Sequence, residues 1–435
     1  MSQPVPPSAV SRRSLLRGVV TTGAVGTAAA VADLAGGVRS AAAAGPGPAA
    51  AAAAAQQHDV LVVLTLRGGF DALSAVVPAG DEEYLRARPT IGIPADRLLA
   101  LDSRFGLHPA MHPLRRWWRE GALAVVHAVG QPGAGRSHLL ASAALDSGGQ
   151  RDVGGWLDRA LGSVTSTGWP AAYLGSTTLP GSLRAASAHG GQAVGLKSAA
   201  ELDLTGLTGT ARSRWLAALT ALHADVPGRR KLPVASTLAA IKALPQSGRA
   251  AAAVPADRYP ATDLGSALRE VAGLVRARVG VRAVCVEHDG WDLHAAAGSG
   301  SADRDAPAAR APMSARLADL ARSLDAFADD LGPDLDRVIL VTQTEFGRRV
   351  SENGSGGTDH GAASAMLVLG GGVRGGQVYG DWPGLARSAR DRDGLRISTD
   401  QRLVLAEVLA ERCGVSTGPV FPGLRGRPLG LVRSR

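Results

Sequence analysis

Cysteine is nearly missing from this chain, lysine is scarce, and only 4% of the residues are aromatic. Two cysteines, Cys285 and Cys413, cannot build a zinc–cysteine cluster or a disulfide framework. Cys285 lies in the apolar run Arg282 to Val286, where a buried strand residue is expected. Sequence leaves open whether the two cysteines bridge in an oxidising compartment. Lysine occurs only at Lys197, Lys231 and Lys242, so the formal charge of +9 rests on arginine. Four of those arginines (Arg12, Arg13, Arg17 and Arg39) and one aspartate (Asp33) fall in the first 55 residues, which leaves about +6 on the rest. That excess is spread along the chain rather than clustered on one face, so no nucleic-acid partner is expected. Beyond the N-terminal region no 18-residue apolar run occurs, which argues against a membrane span in the mature chain.

What is present is globular. The 56 glycines show no triplet period, which excludes collagen, and 45% hydrophobic content excludes wholesale disorder. A length of 435 residues allows one large domain or two ordinary ones. Residues 1–55 read as a signal peptide and linker. Ser11-Arg-Arg-Ser-Leu-Leu16 is a twin-arginine pattern ahead of a mildly apolar stretch, Gly18 to Ala32, too short to span a bilayer. An alanine-rich tract follows, Ala41 to Ala55, interrupted by Gly-Pro-Gly-Pro. The pattern predicts export of a folded protein by the twin-arginine machinery to the periplasm, cell envelope or exterior.

Residues 56–435 alternate buried strands with helices. Continuous apolar runs at 59–66, 122–129, 281–286, 337–343 and 365–369 predict strands covered on both faces. Helical patterns lie at 109–120, 211–224, 264–278, 314–331 and 400–412. The fold class is therefore α/β, a three-layer sandwich with a mainly parallel sheet. Residues 150–250, rich in Gly, Ser, Thr and Ala, read as an insertion or cap on that sheet. In such sheets sites form along the edge where the strands' C-terminal ends lie.

Along that edge the chain places its chemistry. Asp71, Asp292, His294, Glu345, Asp359 and His360 each follow a strand end or sit in a glycine-rich loop. Carboxylates and imidazoles delivered from several loops suit a borderline divalent cation, Zn²⁺ or Mn²⁺, one ion or two. Ser137 follows the second strand and reads either as a metal-activated nucleophile or as the N-cap of the next helix. Arg67 and Arg136 could hold the oxygens of an anionic ester substrate. No Gly-x-Ser-x-Gly elbow is present, so a Ser-His-Asp hydrolase is not expected. Gly370-Gly-Gly-Val-Arg-Gly-Gly376 precedes no capped helix and reads as a turn.

Seven segments together resemble the DUF1501 family, itself related to the alkaline phosphatase and sulfatase superfamily. They are Leu66-Arg-Gly-Gly-Phe-Asp-Ala-Leu-Ser74, Phe105-Gly-Leu-His-Pro109, Arg136-Ser-His138, Gly290-Trp-Asp-Leu-His294, Glu345-Phe-Gly-Arg348, Asn353 through Gly361, and Val373 through Gly380. The resemblance implies an alkaline-phosphatase-like fold. It implies Asp71 as the carboxylate after the first strand and Ser137 near the nucleophile's place. Asp292 and His294 match the middle Asp/His pair, and His360 the late histidine. Glu345 stands where relatives carry Asp-His, so one imidazole of that pattern is missing. Two functions follow: an exported metal-dependent hydrolase of phosphate or sulfate esters, or a non-catalytic metal-binding or envelope-associated protein on the same scaffold.

Overall fold

The computed structural model describes residues 59–150, 153–162, 171–184, 193–198, 208–222, 254–278, 280–298 and 312–435. The expected signal peptide at 1–55, the polar stretch 299–311 and much of 150–250 lie outside the described residues.

A nine-stranded sheet organises the chain. Its long strands are β1 (Val60–Leu66), β2 (Leu123–Gly130), β3 (Ala171–Leu174), β4 (Ala193–Leu196), β5 (Ala283–His288), β6 (Val338–Gln343) and β7 (Ser364–Gly370). Two short ones, β8 (Val378–Tyr379) and β9 (Thr399–Asp400), flank β2. The order is β8-β2-β7-β6-β1-β5-β3-β4. Neighbours from β6 to β4 pair in parallel. Only β7 among the long strands runs the other way, antiparallel to both β2 and β6. That reversal matters for the site: the loop before β7, not the one after it, lies beside the C-terminal ends of its neighbours.

Strand alternation splits the core into two layers. Val60, Val62, Leu64 and Leu66 of β1 face α1 (Arg115–Arg119), α5 (Asp263–Arg276) and α6 (Pro312–Leu331). Leu61 and Val63 face α3 (Trp156–Gly162) and α7 (Gln401–Cys413). Two further helices are α2 (His138–Ser147) and α4 (Gly209–Leu222). Helix α6 shows why such a helix forms. Leu317, Leu320, Leu324 and Phe327 recur at helical spacing and are fully buried, each worth roughly 1.5–3 kcal/mol. Helix α5 starts where the Thr262 hydroxyl accepts the Gly265 N–H (3.1 Å), and α7 where Asp400 accepts the Arg402 N–H (3.0 Å).

The α/β class, the three layers and the mainly parallel sheet agree with expectation. Two readings differ, and one open question closes. The region 150–250 supplies β3 and β4, so its described parts extend the sheet rather than only cap it. The stretch 109–120 begins as a 3-10 helix, Pro109–Leu114, because Pro113 cannot donate to an α-helical ladder. Cys285 and Cys413 are both buried free thiols. Burial pushes them up to about 12 and about 11, which makes them inert.

Candidate metal centre

The loops after β1, β2, β5 and β6 and the loop before β7 meet at one rim. Gly68 and Gly69 turn the chain after β1 with φ of +115° and +89°, where an L side chain is strained; a Cβ on Gly68 would also lie 2.5 Å from the Asp292 N. The loop before β7 is folded by Asn353. Its amide donates to the His294 carbonyl (2.8 Å) and to Asp359 (3.1 Å), and its oxygen accepts from the Ser355 and Gly357 N–H groups (2.9 and 3.2 Å).

At the centre is Asp292. Its Oδ1 lies 3.0 Å from His294 Nε2 and 3.2 Å from His360 Nε2, and those two nitrogens are 3.0 Å apart. Its Oδ2 lies 3.4 Å from His138 Nε2, a buried atom with no hydrogen-bond partner. The other nitrogen of each ring has an acceptor. His294 Nδ1 is 3.1 Å from Asp359 Oδ1, His360 Nδ1 is 2.8 Å from the Arg136 carbonyl, and His138 Nδ1 is 3.4 Å from Glu345 Oε1. Each Nδ1 therefore has an outer acceptor for its proton while each Nε2 faces Asp292, and in that tautomer the Nε2 lone pair is the one open to an ion. The same pattern, ligating nitrogen inward and second nitrogen tied to an acceptor, is how protein imidazoles hold a metal ion. His138, Asp292 and His360 thus form a group able to hold one, with donor atoms within 4.8 Å of one another.

The electrostatics agree. Burial alone would raise the Asp292 carboxyl. The bond and charge of Arg348 (2.5 Å), with His360 and His294, instead bring it down to about 2. Asp359 is held below the ordinary range by its bonds to Asn353 and His294. Both carboxylates are ionised at neutral pH and favour a cation.

Residues 58–434 match the family model described as "Protein of unknown function (DUF1501)". The chain belongs to the DUF1501 family. No curated protein matches it significantly. Among solved structures it is similar to the PsFucS1 sulfatase from Pseudoalteromonas sp., at 12% identity over 77% of this chain and 68% of that one, with a TM-score of 0.31. So loose a superposition assigns no residue of this DUF1501 protein a role.

The expected site residues separate into three groups. Asp292, His294 and His360 come together as inward-facing donors. Asp359 and Glu345 are present at the cluster, but one step outward, each holding a ring by its Nδ1. Asp71 is elsewhere: its carboxylate is buried against Arg88 (2.6 and 3.0 Å) and Ser74 (2.7 Å), and both oxygens are satisfied there. Asp71 therefore does not join the cluster. Neither expected anion-binding arginine is free. Arg67 pairs with Glu287, its Nε 2.9 Å from Oε1, and Arg136 donates to the carbonyls of Asp391 and Arg392. Ser137 stands at the N-cap position of α2 but is exposed, and its hydroxyl makes no capping bond.

His138 escaped the sequence reading. It sits one residue from the serine that drew attention, in a motif noted for that serine. A usable signal existed: an imidazole at the first position of a helix that follows a buried strand points back toward the strand's C-terminal end.

Proposed function

We propose that this protein is an exported, metal-dependent hydrolase of phosphate or sulfate esters. Asp292, His294, His360 and His138 hold the ion, and a three-imidazole, one-carboxylate set suits Zn²⁺ or Mn²⁺. When bound, such an ion polarises an ester oxygen and lowers the pKa of water beside it. The chain's own part is orientation. Glu345, Asp359 and the Arg136 carbonyl would accept the Nδ1 protons and so free every Nε2 for the ion. The observation that carries the reading is the convergence of three Nε2 atoms, one of them buried without a hydrogen-bond partner, on Asp292. Export rests on Arg12 and Arg13, and replacing both with lysine in a fusion of residues 1–58 to a reporter should stop its translocation.

One observation favours a second reading, a non-catalytic metal-binding or envelope-associated protein. The guanidinium groups best placed for an anionic substrate, Arg67 and Arg136, are already bonded to protein oxygens. Metal analysis of the folded protein, together with turnover of aryl phosphates and aryl sulfates, separates the two. Stoichiometric metal with turnover that His360→Ala abolishes supports the hydrolase. Stoichiometric metal without turnover of any ester supports the metal-binding form of the second reading, and absence of metal refutes the hydrolase and leaves only the envelope-associated form.

A further inference from the structure

We propose that Arg348 serves as the second cation of this site, so that the centre takes one metal ion per chain and not two. The inference rests on the metal reading above. Arg348 is 2% exposed and its guanidinium is surrounded by oxygen. Nε donates to the Gly69 carbonyl (2.8 Å), Nη1 to the Thr358 carbonyl (3.0 Å), and Nη2 to the Trp291 carbonyl (3.0 Å) and Asp292 Oδ1 (2.5 Å). Nη2 also reaches the Gly68 carbonyl. Carbonyls from three loops and one carboxylate form the kind of oxygen shell that a hard metal cation takes.

Asp292 Oδ1 is the same oxygen that lies 3.0 and 3.2 Å from the two imidazoles. One carboxylate oxygen is thus shared between a fixed guanidinium and the metal-binding rings, as a bridging ligand is shared between the ions of a two-metal centre. The other acidic groups of the region are already used. Asp71 is neutralised by Arg88, and Glu345 Oε1 accepts the Gly68 N–H (3.0 Å) as well as holding His138. No donor set for a second ion is left among the described residues of this rim.

The test is metal stoichiometry. The full-length protein is stripped of metal, dialysed to equilibrium against Zn²⁺, and its bound zinc measured. One ion per chain is the expected result. Two per chain would overturn the inference and leave the metal reading standing, whereas none would overturn the metal reading itself. Arg348→Ala should weaken zinc binding by about 10–100-fold, the usual cost of removing a group that orients a ligand. Added guanidinium ion should restore it and methylammonium should not. Should Arg348→Ala fail to fold, Arg348→Lys keeps the charge without the planar fork and should weaken zinc binding in the same direction. A folded variant of either kind that binds zinc as tightly as wild type, or a folded Arg348→Ala that guanidinium does not rescue, refutes the assignment.

Discussion

Asp71 offers the sharpest test, because sequence and structure assign it opposite roles. In the structure it is an anchor. Its two oxygens accept from Arg88 Nη1 and Nη2 at 2.6 and 3.0 Å, and Arg88 also donates to the carbonyls of Val350 and Arg349 (2.9 and 2.8 Å). The pair therefore ties the turn after β1 to the segment that follows Arg348. Asp71 is 1% and Arg88 0% exposed. Asp71→Ala would leave a buried guanidinium without a counter-charge, at a cost of about 3–5 kcal/mol. Set against a typical total of about 5–15 kcal/mol, that is a large fraction of the protein's stability. Burial acts to raise the Asp71 carboxyl, but the charge and bonds of Arg88, with Ser74, outweigh it and hold the group below the ordinary carboxylate range. The sign then follows: the pair's contribution is complete above about pH 4, the unfolded value, and is lost as pH falls through the folded one. The assay is denaturant unfolding of metal-free protein from pH 3 to 7, wild type against Asp71→Ala and Asp71→Asn. Both variants should be much less stable at neutral pH, with a shallower decline in acid, while any folded fraction still takes up zinc. If instead Asp71→Asn keeps its metal-free stability within about 1 kcal/mol and loses zinc, Asp71 is a ligand and the anchoring argument is wrong.

Other predictions follow from the same contacts. His294→Ala and His360→Ala remove inward-facing nitrogens and should abolish stoichiometric metal. Asp359→Asn removes an outer support and should weaken binding by only about 10–100-fold, as read by competition with a chelator. Burial lowers both His108 and His127 to about 4. Each is kept neutral in the fold, so stability should decline as pH drops from about 6.5 towards 4, by roughly 2–3 kcal/mol per residue; replacing His127 with Gln should flatten that decline in acid unfolding curves. Ser137→Ala should retain full ester turnover, because the hydroxyl is exposed and bonded to nothing in its helix. A loss of 10³-fold or more in kcat would restore it as a nucleophile.

Strands and helices with strong periodicity were legible in advance. β1, β2, β6 and β7 are apolar on both faces because helices cover both sides of the sheet, and such runs are hard to mistake. The short strands β3 and β4, at the end of the sheet, were not legible. Ala171–Leu174 and Ala193–Leu196 are four residues each and are set in glycine- and serine-rich sequence, so neither shows a period. β3 is placed by pairing with β5, more than 100 residues away in the chain, and β4 by pairing with β3. The direction of β7 was hidden for a related reason. Both orientations give the same buried apolar run, and only the neighbouring strands decide between them.

At the site, residue type was legible and rank was not. Reading acids and imidazoles as equal candidates placed Asp71, Glu345 and Asp359 beside Asp292 in one ligand shell. What separates them is who else needs their charge. Arg88 needs Asp71 because a guanidinium with no exposure must have a counter-ion. His294 and His138 need Asp359 and Glu345 because a ring that must present Nε2 inward requires an acceptor at Nδ1. Asp292 is left with the rings and one guanidinium, at 44% side-chain exposure, and so is the carboxylate still open to an ion. The demands on Asp359 and Glu345 arise from residues far away in sequence, 65 positions for Asp359 and His294 and 207 for Glu345 and His138. Spacing along the chain therefore cannot rank these acids, and a test of the ranking must compare Asp292→Asn with Asp359→Asn. If the two lose metal equally, the inner and outer shells drawn from the hydrogen bonds do not exist.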